Sequence, residues 1–199
     1  MLLSRAVMRM CEGELEELAG RWRFDLDIGG YVERVRKKTG SLMGACCVLG
    51  AMATGAEERA LLSLERFGEL VGAAFQAVDD LLDLFGSAKD LGKPVGVDIL
   101  AGKESLPVVL LLSGGDRAMR ERALRLLRSR KDKAVLKEVA RIAVKAEVPR
   151  KGLELARGLV EEAKGSLHAL PDSPGRRALE MLADLVVERG RALLEASRG

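Results

Sequence analysis

The run Phe75-Gln76-Ala77-Val78-Asp79-Asp80-Leu81-Leu82-Asp83 holds three carboxylates and one amide. On a helix turning by about 100° per residue, Gln76, Asp79, Asp80 and Asp83 fall within one arc of about 100°. Phe67, Leu70, Val71, Ala74, Val78, Leu81 and Phe85 gather opposite. The pattern predicts a helix that buries one face and offers oxygen atoms on the other. At an exposed surface each like-charged pair costs only a few tenths of a kcal/mol, so a solvated acidic face explains the stripe as well as a ligand site does. In a water-poor cleft the repulsion rises to roughly 4 kcal/mol per pair at an effective dielectric near 20, and cations are then required. Oxygen-only donors with open positions suit Mg²⁺, which keeps waters and shares its remaining sites with phosphate oxygens.

Cationic groups stand close by in sequence. The segment after the stripe reads Leu91-Gly92-Lys93-Pro94, then Asp98, then Gly102-Lys103-Glu104-Ser105-Leu106-Pro107, and Lys38-Thr39 lies upstream. Taken singly, each lysine reads as solvated surface. Together with the acidic stripe, Lys38, Lys93 and Lys103 make the charge arrangement that a magnesium-bound diphosphate needs.

Helices must position these groups. Leu2 to Ala19 carries apolar residues at helical spacing, and Arg21 to Gly30 reads as a turn region. Tyr31 to Thr54 predicts a second helix stopped by Gly55. Glu57 to about Leu84 predicts the longest helix. Gly86 to Lys103, with four glycines and Pro94, reads as a loop without apolar period. Helices resume at Leu106 and near Asp116, Lys133, Pro149 and Pro174, where Asp116 suits an N-cap and the prolines suit helix starts. No strand pattern and no internal repeat appear. The expected fold class is all-α, an antiparallel helical bundle in a single domain over residues 1–199.

Composition agrees. Apolar residues make up 48% and charged residues 32%, an ordinary globular balance, while aromatics at 3% leave a core of Leu, Val and Ala that suits packed helices. No apolar leader interrupts the charges at Arg5, Arg9 and Glu12. The uncharged stretch Thr39 to Ala56 is rich in glycine and reads as a close-packed buried helix, not a membrane span. Cys11, Cys46 and Cys47 lack metal-ligand spacing and read as buried reduced thiols of a cytoplasmic protein. A net charge of +3 does not argue for nucleic acid. Between Arg117 and Lys151, thirteen Lys/Arg stand against four Asp/Glu, read as a solvated face, with any membrane contact peripheral. His168, without a second His or Cys nearby, reads as surface.

The ordered series Tyr31…Lys38-Thr39, Phe67-Gly68, Phe75-Gln76-x-x-Asp79-Asp80-x-x-Asp83, Leu91-Gly92-Lys93-Pro94…Asp98…Gly102-Lys103…Leu106-Pro107 resembles the back half of a trans-isoprenyl diphosphate synthase of the polyprenyl synthetase family. Glu12-Gly13-Glu14 resembles the helix before it, and Ala178 to Arg189 the family's last helix. The resemblance implies an isoprenoid-synthase bundle in which Mg²⁺ ions hold an allylic diphosphate between two aspartate-rich motifs. It implies ionisation to an allylic cation, attack by isopentenyl diphosphate, and proton transfer to the departing diphosphate. By position it implies Asp79, Asp80 and Asp83 as the second aspartate-rich metal motif. Lys38, Lys93 and Lys103 would hold diphosphate. Thr39, Gln76 and the Lys38 carbonyl would face the cation, with Phe75 lining the site.

The first aspartate-rich motif, the isopentenyl diphosphate segment and the N-terminal helices of the family find no counterpart in these residues, and nothing before Met1 is expected to supply them. The expectation is a cytoplasmic prenyltransferase subunit, inactive alone, completed by a second subunit that carries the first aspartate-rich motif. The alternatives are a non-catalytic regulatory subunit of a complete prenyl synthase and a repurposed helical interaction protein.

Overall fold

A computed structural model describes residues 1–92, 94–114, 116–129 and 133–196. Lys93, expected to bind diphosphate, lies outside the described residues. Helix α1 spans Leu2–Gly20. Asp27 caps α2, Ile28–Val35, its carboxylate accepting the Gly30 N–H at 2.7 Å. The rod continues through a π-helical segment, Arg36–Gly40, into α3, Ser41–Met52. The single helix expected from Tyr31 to Thr54 therefore starts earlier and carries a π-bulge at Lys38-Thr39, a device that single-turn insertions commonly serve at functional sites. Gly55, at φ +72°, ends it as expected: Ala56 N–H donates to Ala51 O and Gly55 N–H to Met52 O, both at 3.1 Å.

Helix α4, Glu58–Phe85, runs through the centre of the molecule. Two four-residue turns follow, α5 (Ala88–Leu91) and α6 (Val97–Leu100), inside the segment expected to be a plain loop. Then come α7 (Leu106–Ser113), α8 (Arg117–Arg128), α9 (Lys133–Lys145), α10 (Val148–Ser166) and α11 (Pro174–Ala196), with a short 3₁₀ turn at Leu167–Ala169. Asp116 caps α8 through the Met119 N–H at 2.7 Å. Among the described residues there is no strand.

The second half of α4 is buried on more than the one face expected, because two of the three carboxylates of the stripe are buried as well. Gly72, Ala73, Ala74, Ala77, Val78, Leu81 and Leu82 are buried, and so are Asp80 and Asp83. Small residues let several neighbours approach at once. A Cβ on Gly152 of α10 would meet Leu81 at 2.6 Å, and one on Gly190 of α11 would meet Val78 at 2.5 Å. Leu106, Val108, Val109 and Leu111 of α7 complete the core with Val139, Val148 and Val160.

Apolar side chains also face outward: Leu3, Val7, Leu15 and Leu18 on α1, Leu42, Leu49 and Met52 on α3, and Leu182 and Leu185 on α11. Cys11 and Cys46 are exposed and Cys47 is half-buried. The expectation of buried thiols fails for Cys11 and Cys46, which lie on the outward sides of α1 and α3, while Cys47 packs against the edge of the core. Among the described residues no helix is long and apolar enough to cross a membrane.

Candidate active site

The π-bulge brings Lys38 and Thr39 against two other helices. On the α1 side, Gly13 leaves no room for a side chain: a Cβ there would sit 2.6 Å from the Lys38 backbone nitrogen. With α1 this close, Lys38 Nζ pairs with Glu14 Oε2 and Glu17 Oε1, both at 2.8 Å. Lys103 reaches the same carboxylate from the loop after α6. Its Nζ lies 2.7 Å from Asp98 Oδ1 and 3.5 Å from Glu17 Oε1. That loop is held by a turn at Gly102 (φ +71°), where the Trp22 ring occupies the place a Cβ would take, and by Trp22 N–H donating to Gly102 O at 2.9 Å.

Glu17 thus links two lysines from different elements, and its side chain is only 12% exposed. Burial works to raise its pKa, but the hydrogen bond from Lys38 and the fields of Lys103, Lys38 and Arg34 outweigh it and hold the carboxyl below its ordinary value. Burial opposes the charge on Lys38, which its bonds to Glu14 and Glu17 keep above the usual lysine range. Lys103 is raised likewise, with Asp98 and Glu17 overcoming burial.

On the α4 side, Thr39 Oγ1 donates to Gln76 Oε1 at 3.0 Å, and Gln76 Nε2 donates to Asp80 Oδ1 at 2.8 Å. Asp80 Oδ2 accepts from Tyr31 Oη at 2.8 Å and from the Leu106 backbone N–H at 2.9 Å. Burial pushes the Asp80 carboxyl up to about 6, against the pull of Gln76, Leu106 and Tyr31, and Asp98 adds to the rise. The Tyr31 hydroxyl, fully buried beside Asp80, is pushed well above its usual range by burial first and by Asp80 second. Asp83 Oδ2 accepts the Asp98 N–H at 3.1 Å, and Asp83 O accepts the Gly96 N–H at 2.5 Å, so the lysine-bearing loop is fastened to the end of α4.

Asp79 points elsewhere. It lines a groove of about 280 Å³ between α4, α5 and α11, together with Phe75, Val78, Leu82, Leu91, Leu182, Leu185, Val186 and Arg189. Phe75, at 42% exposure, stands at its mouth. The groove is an apolar trough with a carboxylate and a guanidinium beside it.

The stripe therefore divides. Asp79 and Asp83 lie one turn apart on the same helix and supply hard oxygen donors of the kind a small divalent cation takes. No three His, Cys, Asp or Glu side chains among the described residues converge as a complete metal site. Any cation held there would need its remaining ligands from a bound phosphate or from another chain. The structure brings Lys38 to Lys103 and Thr39 to Gln76. It sets Phe75 and Asp79 on the groove and turns Asp80 toward Tyr31 and α7.

Sequence reasoning assigned no role to Glu17. Its signal was present: Glu17 follows Gly13 by one turn and so shares the face that meets Lys38. Arg189, Leu182 and Leu185 lie in the run that resembles the family's last helix, which assigned them no role at the site.

The comparisons with known proteins fit this geometry. The family description "Polyprenyl synthetase" matches residues 1–143. Heptaprenyl diphosphate synthase component 2 of Geobacillus stearothermophilus is 34% identical over 193 residues, covering 97% of this chain and 55% of that protein. A short chain isoprenyl diphosphate synthase of Methanothermobacter thermautotrophicus is 36% identical over 182 residues, covering 92% of this chain and 56% of the relative. A crystal structure of polyprenyl synthase from Caulobacter crescentus complexed with calcium and isoprenyl diphosphate superposes with a TM-score of 0.84 at 32% identity. It covers 94% of this chain and 58% of that one. Heptaprenyl diphosphate synthase from Staphylococcus aureus gives 0.85 at 25% identity, covering 95% of this chain and 59% of that one. The chain spans a little over half the length of the curated relatives it matches. Matched motifs, identity and fold together show that this chain belongs to the polyprenyl synthetase family.

Proposed function

We propose that this chain is the allylic-diphosphate half of a trans-isoprenyl diphosphate synthase. It works with a second subunit that carries the first aspartate-rich motif and completes the metal cage. The observation that carries this reading is that two half-buried lysines, Lys38 and Lys103, meet at Glu17 next to the Thr39–Gln76 pair, while Phe75, the neighbour of Gln76, lines a groove walled mostly by apolar side chains. A substrate with a polyanionic head and a hydrocarbon tail matches that sequence of environments.

In this reading Lys38, Lys93 and Lys103 hold the diphosphate, and Asp79 and Asp83 would hold Mg²⁺. Bound Mg²⁺ supplies Lewis-acid stabilisation of the leaving diphosphate. The allylic C–O bond breaks with its electron pair leaving on oxygen, and the lysines stabilise that growing charge. Thr39, Gln76 and the Lys38 carbonyl turn oxygen atoms toward the cation left behind. The double bond of isopentenyl diphosphate attacks the cation, forming the new C–C bond, and the neighbouring C–H proton passes to the departed diphosphate. Phe75 and the groove keep water from the cation.

The exposed apolar residues Leu182 and Leu185 beside the groove, and those along α1 and α3, support a second subunit, because contiguous apolar surface marks an interaction site. So does the word "component" in the name of the Geobacillus relative.

The test is to purify the tagged chain with its bound subunit and measure incorporation of labelled isopentenyl diphosphate with Mg²⁺. Activity that requires both chains and is abolished by Asp79→Ala supports the reading. Activity that survives Asp79→Ala overturns it and leaves the chain a passenger on a complete synthase.

A further inference from the structure

We propose that Asp80 is a positioning residue. Its carboxylate fixes the amide of Gln76 so that Gln76 turns its carbonyl oxygen, and not its NH₂, toward Thr39 and the reacting carbon. The proposal rests on the function proposed above and assigns to Asp80 a task other than metal binding.

The argument starts from donor and acceptor inventories. An ionised aspartate only accepts hydrogen bonds, whereas an amide accepts at one end and donates at the other. Three donors from three elements converge on Asp80: Tyr31 Oη of α2, Gln76 Nε2 of α4 and the backbone N–H of Leu106 at the start of α7. The Asp80 residue is only 5% exposed. Two of these bonds land on Oδ2 and one on Oδ1, so both oxygens are already engaged inside the protein.

Because Asp80 cannot donate, Gln76 must face it with Nε2. The Gln76 carbonyl oxygen is thereby committed to the other side, where Thr39 Oγ1 donates to it at 3.0 Å. Thr39 spends its only hydrogen on that bond. The Gln76 and Thr39 oxygens then both present lone pairs, the arrangement a developing carbocation requires. Were the amide reversed, its NH₂ would point a positive dipole at the cation. Asp80 therefore sets the sign of the field from Gln76.

A charge-conserving exchange tests this. In Asp80→Asn the Leu106 N–H, which can only donate, keeps the new amide oxygen where Oδ2 was. The new NH₂ then faces residue 76 and forces Gln76 to reverse. Adding Gln76→Glu restores acceptors toward both the amide at position 80 and Thr39. The expected result, for the chain assembled with its partner subunit, is a fall in kcat on the order of 10²-fold for Asp80→Asn. KM for the allylic diphosphate and the half-saturating Mg²⁺ concentration stay unchanged. The double variant regains most of the lost kcat.

Thermal melting gives a second readout, with each single variant melting lower than the double variant. Two results overturn the proposal: a double variant no better than Asp80→Asn in both kcat and melting, or an Asp80→Asn enzyme whose activity returns at raised Mg²⁺, which makes Asp80 a metal ligand. If the wild-type assembly transfers no prenyl group at all, the proposed function fails. The melting comparison then still decides whether positions 76 and 80 are coupled as described.

Discussion

A Cβ on Gly72 would lie 2.6 Å from the Cα of Gly40, so the π-bulge and α4 meet backbone to backbone. Gly44 and Gly68 repeat the contact one turn along, with 2.7 Å from a Cβ on Gly68 to the Gly44 Cα. This close seam brings Thr39 within 3.0 Å of Gln76, one turn beyond Gly72. Gly72→Ala is expected to push the helices apart and destabilise the protein by about 1–3 kcal/mol. Gly50 is the control, because nothing lies within 4 Å of a Cβ there. Gly50→Ala is expected to raise stability by up to about 1 kcal/mol through helix propensity. Melting curves of the two variants check both, and equal shifts would remove the seam from the account of the site.

The long helices, the caps at Asp116 and Gly55 and the lysine–aspartate motif order were legible in the sequence, because each rests on local spacing or local backbone chemistry. The division of the acidic stripe was not. Asp79, Asp80 and Asp83 share one helical arc, yet Asp80 is engaged by Tyr31, 49 positions away in sequence, and by Leu106, 26 away. Periodicity places side chains around a helix axis and is silent on which neighbours arrive there. Glu17 was missed for the same reason: its partners Lys38 and Lys103 come from two other elements. The π-bulge itself left no compositional trace.

Tyr31→Phe tests the Asp80 cluster without touching the groove. The ring is fully buried and its hydroxyl donates to Asp80 Oδ2 at 2.8 Å. Phenylalanine keeps the packing and removes one bond to a charged acceptor, which is expected to lower stability by roughly 1.5–3 kcal/mol. A urea titration should show an earlier midpoint at an unchanged slope. An unchanged midpoint would mean that Leu106 and Gln76 satisfy Asp80 without the tyrosine.

The lysine cluster gives an acid-side stability slope. Glu17 has a folded pKa below its unfolded value of 4.5. As pH falls below that value, the unfolded chain takes up the proton first, so the unfolded state gains relative to the native one. The Glu17 contribution is therefore fully present above 4.5 and is lost as pH drops through the folded pKa. Glu17→Gln is expected to flatten that part of the melting-temperature profile and to leave the neutral range with a constant offset. Lys38 behaves oppositely: its folded pKa is raised above 10.5, so its contribution is present below that value and is lost as pH rises through the folded one. A melting series over the acidic and alkaline limbs checks both signs, and an acid slope that Glu17→Gln leaves intact would place it on other carboxylates.

The groove supplies the last prediction. Leu182 and Leu185 are 57% and 54% exposed on α11 and line the groove together with Phe75 and Asp79 of α4. Substitutions at positions this open usually change the stability of a chain by no more than about 0.5 kcal/mol. If the surface is where the second subunit docks, however, a charge there must be buried without a partner on assembly, and that is costly. Leu182→Lys with Leu185→Lys is thus expected to leave the melting of the isolated chain unchanged and to weaken assembly by at least tenfold, about 1.4 kcal/mol. Sedimentation of the chain with its subunit measures the second effect and melting the first. Assembly of undiminished strength would move the docking surface to α1 and α3, where Leu3, Val7, Leu15, Leu18, Leu42, Leu49 and Met52 are exposed apolar residues to probe.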